Sequence, residues 1–265
     1  MLIIHELIIY IAVGALAGFL SGLIGISGGL VIVPSLVFLF QYLHFPTVSI
    51  MQYAAGTSLT AAILTSSASL IAHQRRGNIH WQTWRLLVPM VVLGVVCGVA
   101  LAHLLNSSTL KLLFGFVVLV LACQMLVFGQ SRYLQFRQIA ILMPMGLVTG
   151  ALCGMLGIGG GIILVPLLMY YGESTRKAMG TSAGLVLPIA IVGSLLFMSL
   201  GHPTVTDTVP YSVGYVYWPA FGGIIIGSMT FPYVGAYVNG LLPKFWLKKI
   251  FAAVLLVVAF RLLVY

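Results

Sequence analysis

Two short backbone runs carry the chemistry of this chain: Gly25-Ile26-Ser27-Gly28-Gly29 and Gly157-Ile158-Gly159-Gly160-Gly161. Each interrupts an apolar stretch. Without a Cβ, glycine lets the backbone turn sharply and come close to a ligand. A new apolar segment starts at once, near Leu30 and near Ile162. The unsatisfied amides and positive dipole end of such a helix start face the gap, and that environment prefers an anion. Two further runs, Gly56-Thr57-Ser58 and Gly180-Thr181-Ser182, place hydroxyls near the start of a predicted helix, where they can cap it or donate to an oxyanion. The candidate substrate-binding residues are therefore Gly25, Ser27, Gly28, Gly29, Thr57, Ser58, Gly157, Gly159, Gly160, Gly161, Thr181 and Ser182. No Lys or Arg lies deep in an apolar segment. Binding would rest on amides and hydroxyls and stay reversible.

The elements that position these residues follow from composition. Of 265 residues, 61% are hydrophobic and only 6% are charged, which excludes both a water-soluble domain and a disordered chain. The apolar stretches lack the alternation of a porin strand, so they are helical spans. They fall at about 5–24, 28–45, 52–73, 86–105, 108–128, 138–156, 161–171, 179–200, 216–239 and 246–264. The fold class is an all-α polytopic membrane protein. The first apolar run is long enough to remain a span, not a removed signal peptide.

The segments form an internal repeat. GFLSGLIGISGGLVIVP at 18–34 matches GALCGMLGIGGGIILVP at 150–166, with Ser27 facing Gly159 and Pro34 facing Pro166. Thr57-Ser58 matches Thr181-Ser182 in the same order. Gly77-Asn78-Ile79-His80-Trp81 matches Gly214-Tyr215-Val216-Tyr217-Trp218, and Lys111 matches Lys248. The chain divides into a first membrane repeat at 1–129, a connecting loop at 130–137 and a second membrane repeat at 138–265. If each glycine break belongs to a hairpin or a double crossing, the halves are inverted. Arg75, Arg76, Arg85, Arg132, Arg137, Arg176, Lys177, Lys244, Lys248 and Lys249 then share one face, and only Lys111 and Arg261 lie on the other. The excess of positive charge on cytoplasmic loops favours that arrangement and puts both termini outside the cytoplasm. The 161–171 segment spans ~17 Å, too short for a ~30 Å bilayer core, and suits a broken helix or re-entrant hairpin.

Structural readings compete with chemical ones. Gly94-x-x-x-Gly98 and Gly223-x-x-x-Gly227 read as helix-packing surfaces. The tandem glycines could serve packing alone, the Thr-Ser pairs could bond back to their own helices, and Pro34 and Pro166 could act only as kinks. Cys97, Cys123 and Cys153 are isolated small residues, and no metal-ligand spacing occurs. Twelve basic residues against three acids give a net charge of +9, but they are scattered singly or in pairs and form no nucleic-acid surface. Glu6, Glu173, Asp207 and the six histidines lie near predicted segment ends. Gly25-Ile26-Ser27-Gly28 has the G-x-S-G form of an intramembrane serine protease, but no histidine is evident at its depth to act as base.

The duplicated G-x-[SG]-G-G…P element, the following G-T-S and the Gly-x-x-x-Trp pattern resemble the TauE/SafE sulfite exporter family over nearly the whole chain. Gly25, Ser27, Gly28, Gly29 and Pro34 match its first element, and Gly157, Gly159, Gly160, Gly161 and Pro166 its second. The resemblance implies about eight spans and transport of small, often sulfur-containing anions such as sulfite or sulfonates. It supplies no catalytic residues. The expected function is a secondary transporter for a small anion in the inner (cytoplasmic) membrane, with no cofactor, no enzymatic activity and no nucleic-acid partner. A passive anion channel or a membrane subunit is the alternative, and a homo-oligomer is compatible with either.

Overall fold

The computed structural model describes residues 2–24, 28–127, 139–201, 209–241 and 244–264. Gly25, Ser27, Asp207 and the connecting loop at 130–137 lie outside the described residues. The first half comprises α1 (Leu2–Ile24), α2 (Gly29–Tyr42), α3 (Ile50–Arg75), α4 (Trp81–Leu104) and α5 (Ser107–Val127). The second comprises α6 (Ile139–Leu156), α7 (Gly161–Tyr170), α8 (Thr175–Leu200), α9 (Trp218–Thr230), α10 (Pro232–Leu241) and α11 (Lys244–Val264). A short antiparallel hairpin, β1 (Ser212–Val213) and β2 (Val216–Tyr217), precedes α9. By length and composition α3, α4, α6, α8 and the Ser107–Gln124 part of α5 are able to cross a membrane. The all-α polytopic expectation holds.

Two local expectations are corrected. The predicted segment at 216–239 is two helices, because α9 ends at Thr230 with Phe231 as its C-cap and Pro232 opens α10. Proline lacks the amide that would continue the ladder and suits a first helical turn. The β-hairpin was not expected, since each strand has two residues, too few to display a period of two.

Glycine sets the closest helix contacts. In α6, a Cβ on Gly150 would sit 2.9 Å from Val91 Cα in α4. In α1, a Cβ on Gly18 would sit 2.9 Å from Ser228 Cα in α9. One turn earlier, Gly146 meets Leu87 and Gly14 meets Ile224. These are equivalent positions of the repeat, so α6 lies parallel to α4 as α1 lies parallel to α9. Gly94 and Gly98 face Leu147 and Ala151, and Gly223 and Gly227 face Tyr10 and Ile11, which gives both motifs a packing role.

The homologous helices α3 and α8 meet antiparallel. Gly56 lies against Phe197, Thr60 against Ser194, Leu70 against Gly184 and Asn78 against Gly180, so one number rises as the other falls. The Thr60 and Ser194 hydroxyls are 2.7 Å apart in the buried seam. In a chain whose native cysteines are replaced by alanine, Thr60→Cys with Ser194→Cys is expected to cross-link on mild oxidation. Ser66→Cys with Ser194→Cys, displaced by ~9 Å along α3, is expected not to. Equal yields in a gel-shift assay would refute the antiparallel register.

Candidate functional site

The second glycine break joins α6 to α7 inside the protein. Gly157 and Gly160 adopt φ of +71° and +70°, the left-handed region where a side chain is strained. Gly160 caps α7 without any side-chain cap. The Ile158 amide donates back to the Cys153 carbonyl at 3.2 Å, and the Gly161 amide to the Gly159 carbonyl at 2.8 Å. Among the described residues, the amides of Gly159, Gly160 and Ile162 have no backbone acceptor. Pro166 has no amide to donate to the Ile162 carbonyl. Pro34 has the same relation to Leu30 in α2.

The two breaks come together. A Cβ on Gly29, the first residue of α2, would lie 3.0 Å from the Gly159 nitrogen and 3.1 Å from the Gly157 oxygen. Gly157 itself presses on Ala55 of α3, a residue to which sequence reasoning gave no role. Gly157, Gly159 and Gly160 are buried, as are Thr57, Ser58, Thr181 and Ser182. Of the first break, Gly28 and Gly29 are described and Gly25 and Ser27 are not.

The Thr-Ser pairs lie in the second turn of their helices or beyond, so they do not cap them. Instead they bind the opposite half. Ser58 Oγ donates to the Gly157 carbonyl at 2.9 Å. Thr57 Oγ1 accepts the Tyr217 amide at 3.0 Å, and Thr181 Oγ1 accepts the His80 amide at 2.9 Å. His80 and Tyr217 are equivalent residues of the repeat, so the two threonine bonds are reciprocal. Ser182, equivalent to Ser58, is 1% exposed and its Oγ has no partner among the described residues.

The same two residues anchor the outer ends of the hairpins. α6 enters beside the start of α4, where Gly146 meets Leu87, and the chain after α7 returns to that place. There Glu173 bonds His80 Nδ1 and accepts the Thr83 hydroxyl at 2.9 Å. α6 and α7 thus form a hairpin with both ends at one rim. The α1–α2 pair repeats this beside the start of α9. Phe40 and Phe45 of its outer end meet the Tyr217 ring edge-on at centroid distances of 5.8 and 5.1 Å. Glu6 accepts the Tyr217 hydroxyl; burial, and secondarily this carboxylate, push the phenol up to about 12. Tyr217 therefore stays a neutral donor at ordinary pH. The signal for these rims was present in the sequence, as the matched residue before each tryptophan.

Replacing either reciprocal threonine by valine keeps the shape and leaves a buried amide without its acceptor. Thr57→Val and Thr181→Val are each expected to destabilise the protein by about 1–3 kcal/mol. Thermal unfolding of the detergent-solubilised variants reads this directly, and wild-type midpoints in both would show that these bonds do not hold the halves together.

The profile of the family described as "Sulfite exporter TauE/SafE" matches residues 10–262. A "Probable membrane transporter protein" of Haemophilus influenzae is 36% identical over 261 residues, covering 97% of each chain. A protein with the same description from Methanocaldococcus jannaschii is 30% identical over 212 residues, 79% of this chain and 77% of its own. YunE of Bacillus subtilis, also described as a probable membrane transporter protein, is 26% identical over 216 residues, 74% of this chain and 79% of its own. No solved structure matches the chain. With the profile spanning nearly every described helix, the chain is a multi-pass membrane protein that belongs to the sulfite exporter TauE/SafE family of membrane transporters.

Proposed function

We propose that the protein is a secondary transporter that moves a small anion, such as sulfite, a sulfonate or a related organic anion, across the cytoplasmic membrane by alternating access. The observation that carries this reading is the meeting of the two glycine breaks, with Gly29 against Gly157 and Gly159. The starts of α2 and α7 bring helix-terminal amides to one place, and no fixed cation is needed to attract an anion there. Anion contacts are assigned to Gly25, Ser27, Gly28, Gly29, Gly157, Gly159, Gly160 and Gly161. Ser182, whose hydroxyl has no partner among the described residues, is assigned as the hydroxyl donor that adds to them. Ser58 holds the backbone of the second break, while Thr57 and Thr181 hold the amides ahead of α9 and α4.

The halves are read as oppositely oriented. Support comes from the antiparallel contact of α3 and α8 and from the hairpins opening at opposite ends of α3. The rim at the end of α3 and the start of α8 carries Arg75, Arg76, Arg176 and Lys177, and is assigned to the cytoplasm. Both termini then lie outside it. Exchange of rim contacts, with one hairpin loosening while the other stays closed, is the movement this architecture allows.

Gly28 and Gly29 provide the test. A Cβ on Gly28 would make ordinary contacts of 3.5 Å with Ala17 and Ile32, whereas on Gly29 it would press on backbone of the other break. In proteoliposomes, wild-type protein is expected to show saturable, gradient-driven uptake of sulfite or a small sulfonate. Gly28→Ala should retain most of that flux and Gly29→Val should lose it while remaining inserted. Undiminished flux in Gly29→Val would remove the break from the pathway. Linear, non-saturating flux would identify a channel, and no flux across sulfite, thiosulfate, sulfonates and small carboxylates would identify a subunit.

A further inference from the structure

A second basic feature lies away from the glycine breaks. A cavity of about 530 Å³ opens between α2, α5 and α11, and Lys111, Arg261 and Gln41 line it together with Phe38 and Val257. Its wall is otherwise apolar apart from Ser35. The Arg261 guanidinium carbon sits 4.2 Å from the centroid of the Phe38 ring, which holds the cation at the cavity and not out toward water. No acid lines the cavity, and neither cation has an ion-pair partner among the described residues.

The depth and surroundings identify the occupant. Lys111 lies about one turn after the start of α5 and Arg261 about one turn before the end of α11, roughly 6 Å from the helix ends. That is near headgroup level in a membrane-spanning chain. Phe38 and Val257 are 50% and 67% exposed, and Leu112, Phe116 and Phe260 extend an exposed apolar band along α5 and α11. A free inorganic anion would use only the cations and leave most of the cavity empty. We infer that this cavity is a specific site for an anionic phospholipid, whose phosphate sits between Lys111 and Arg261 and whose acyl chains lie along that band. General anchoring by snorkelling cations would show no such stoichiometry or head-group preference.

The test needs no knowledge of the transported substrate. Delipidated full-length protein in neutral detergent is titrated with dioleoylphosphatidylglycerol or dioleoylphosphatidylcholine and followed by native mass spectrometry and thermal unfolding. The expected result is one saturable phosphatidylglycerol molecule, and a midpoint raised by it but not by phosphatidylcholine. Lys111→Gln with Arg261→Gln should weaken phosphatidylglycerol binding on the order of thirtyfold, and Lys111→Arg with Arg261→Lys should retain it. Equal binding of the two lipids by wild-type protein, or an unchanged preference in the glutamine variant, would overturn the site. Displacement by millimolar inorganic phosphate would assign the cavity to a free anion and also overturn it. If the glutamine variant does not fold, the wild-type lipid comparison and the charge-conserving variant still decide.

Discussion

A backbone that leaves the helix inside a membrane exposes amides and carbonyls that no solvent satisfies, and each unsatisfied group is expensive. The architecture of this transporter follows from where those groups find partners. The Gly157 carbonyl is satisfied by Ser58 from the other half, and the amides that precede α4 and α9 by Thr181 and Thr57, again from the other half. Each half is therefore incomplete alone. Its own motif does not hold its own backbone, and duplication of the sequence became an interlocked pair instead of two domains side by side.

That interlock divides the molecule into parts with different freedom. The contacts of α4 with α6 and of α1 with α9 are made by glycines so close to the opposing backbone that any side chain would force the helices apart. The short helices α2 and α7 differ. They start at glycine, contain a proline, and are held at their outer ends by a few polar or aromatic contacts. The motion proposed above, which exposes the centre to one side then the other, would be more readily accommodated at those outer ends than in the glycine seams, because close-packed seams have no intermediate spacing to occupy.

Much of this was legible in the sequence. The apolar spans, the repeat and the short segment near 161–171 rest on periodicity and punctuation, and the helices follow them to within a few residues. The Thr-Ser motifs stand out in the sequence with a helix cap, their own helix or an oxyanion as open partners, and the structure excludes the cap. Their spacing from a glycine suggests a helix cap, whereas Thr57 and Thr181 lie inside their helices and reach across the repeat. Local pattern records what a residue is near in the chain, and these hydroxyls act over separations of 99 to 160 residues. The rim residues show the same limit. His80 and Glu173 read as isolated polar residues near segment ends, and only the fold brings them to each other.

The two rims also show where the duplication has diverged, and the difference is chemical. Each rim uses the residue before the tryptophan matched between the repeats, and each receives a carboxylate from the opposite half. At one rim Glu173 meets the imidazole of His80, with the Thr83 hydroxyl as a second donor. At the other Glu6 meets Tyr217, a phenol that burial keeps protonated, wedged between Phe40, Phe45 and Tyr10. A polar pair exchanges its hydrogen bonds for water when it opens, whereas an aromatic cluster loses contact area and exposes apolar surface. Opening the two rims is thus opposed by different forces, so under the alternating access proposed above the protein need not divide its time equally between the two sides of the membrane.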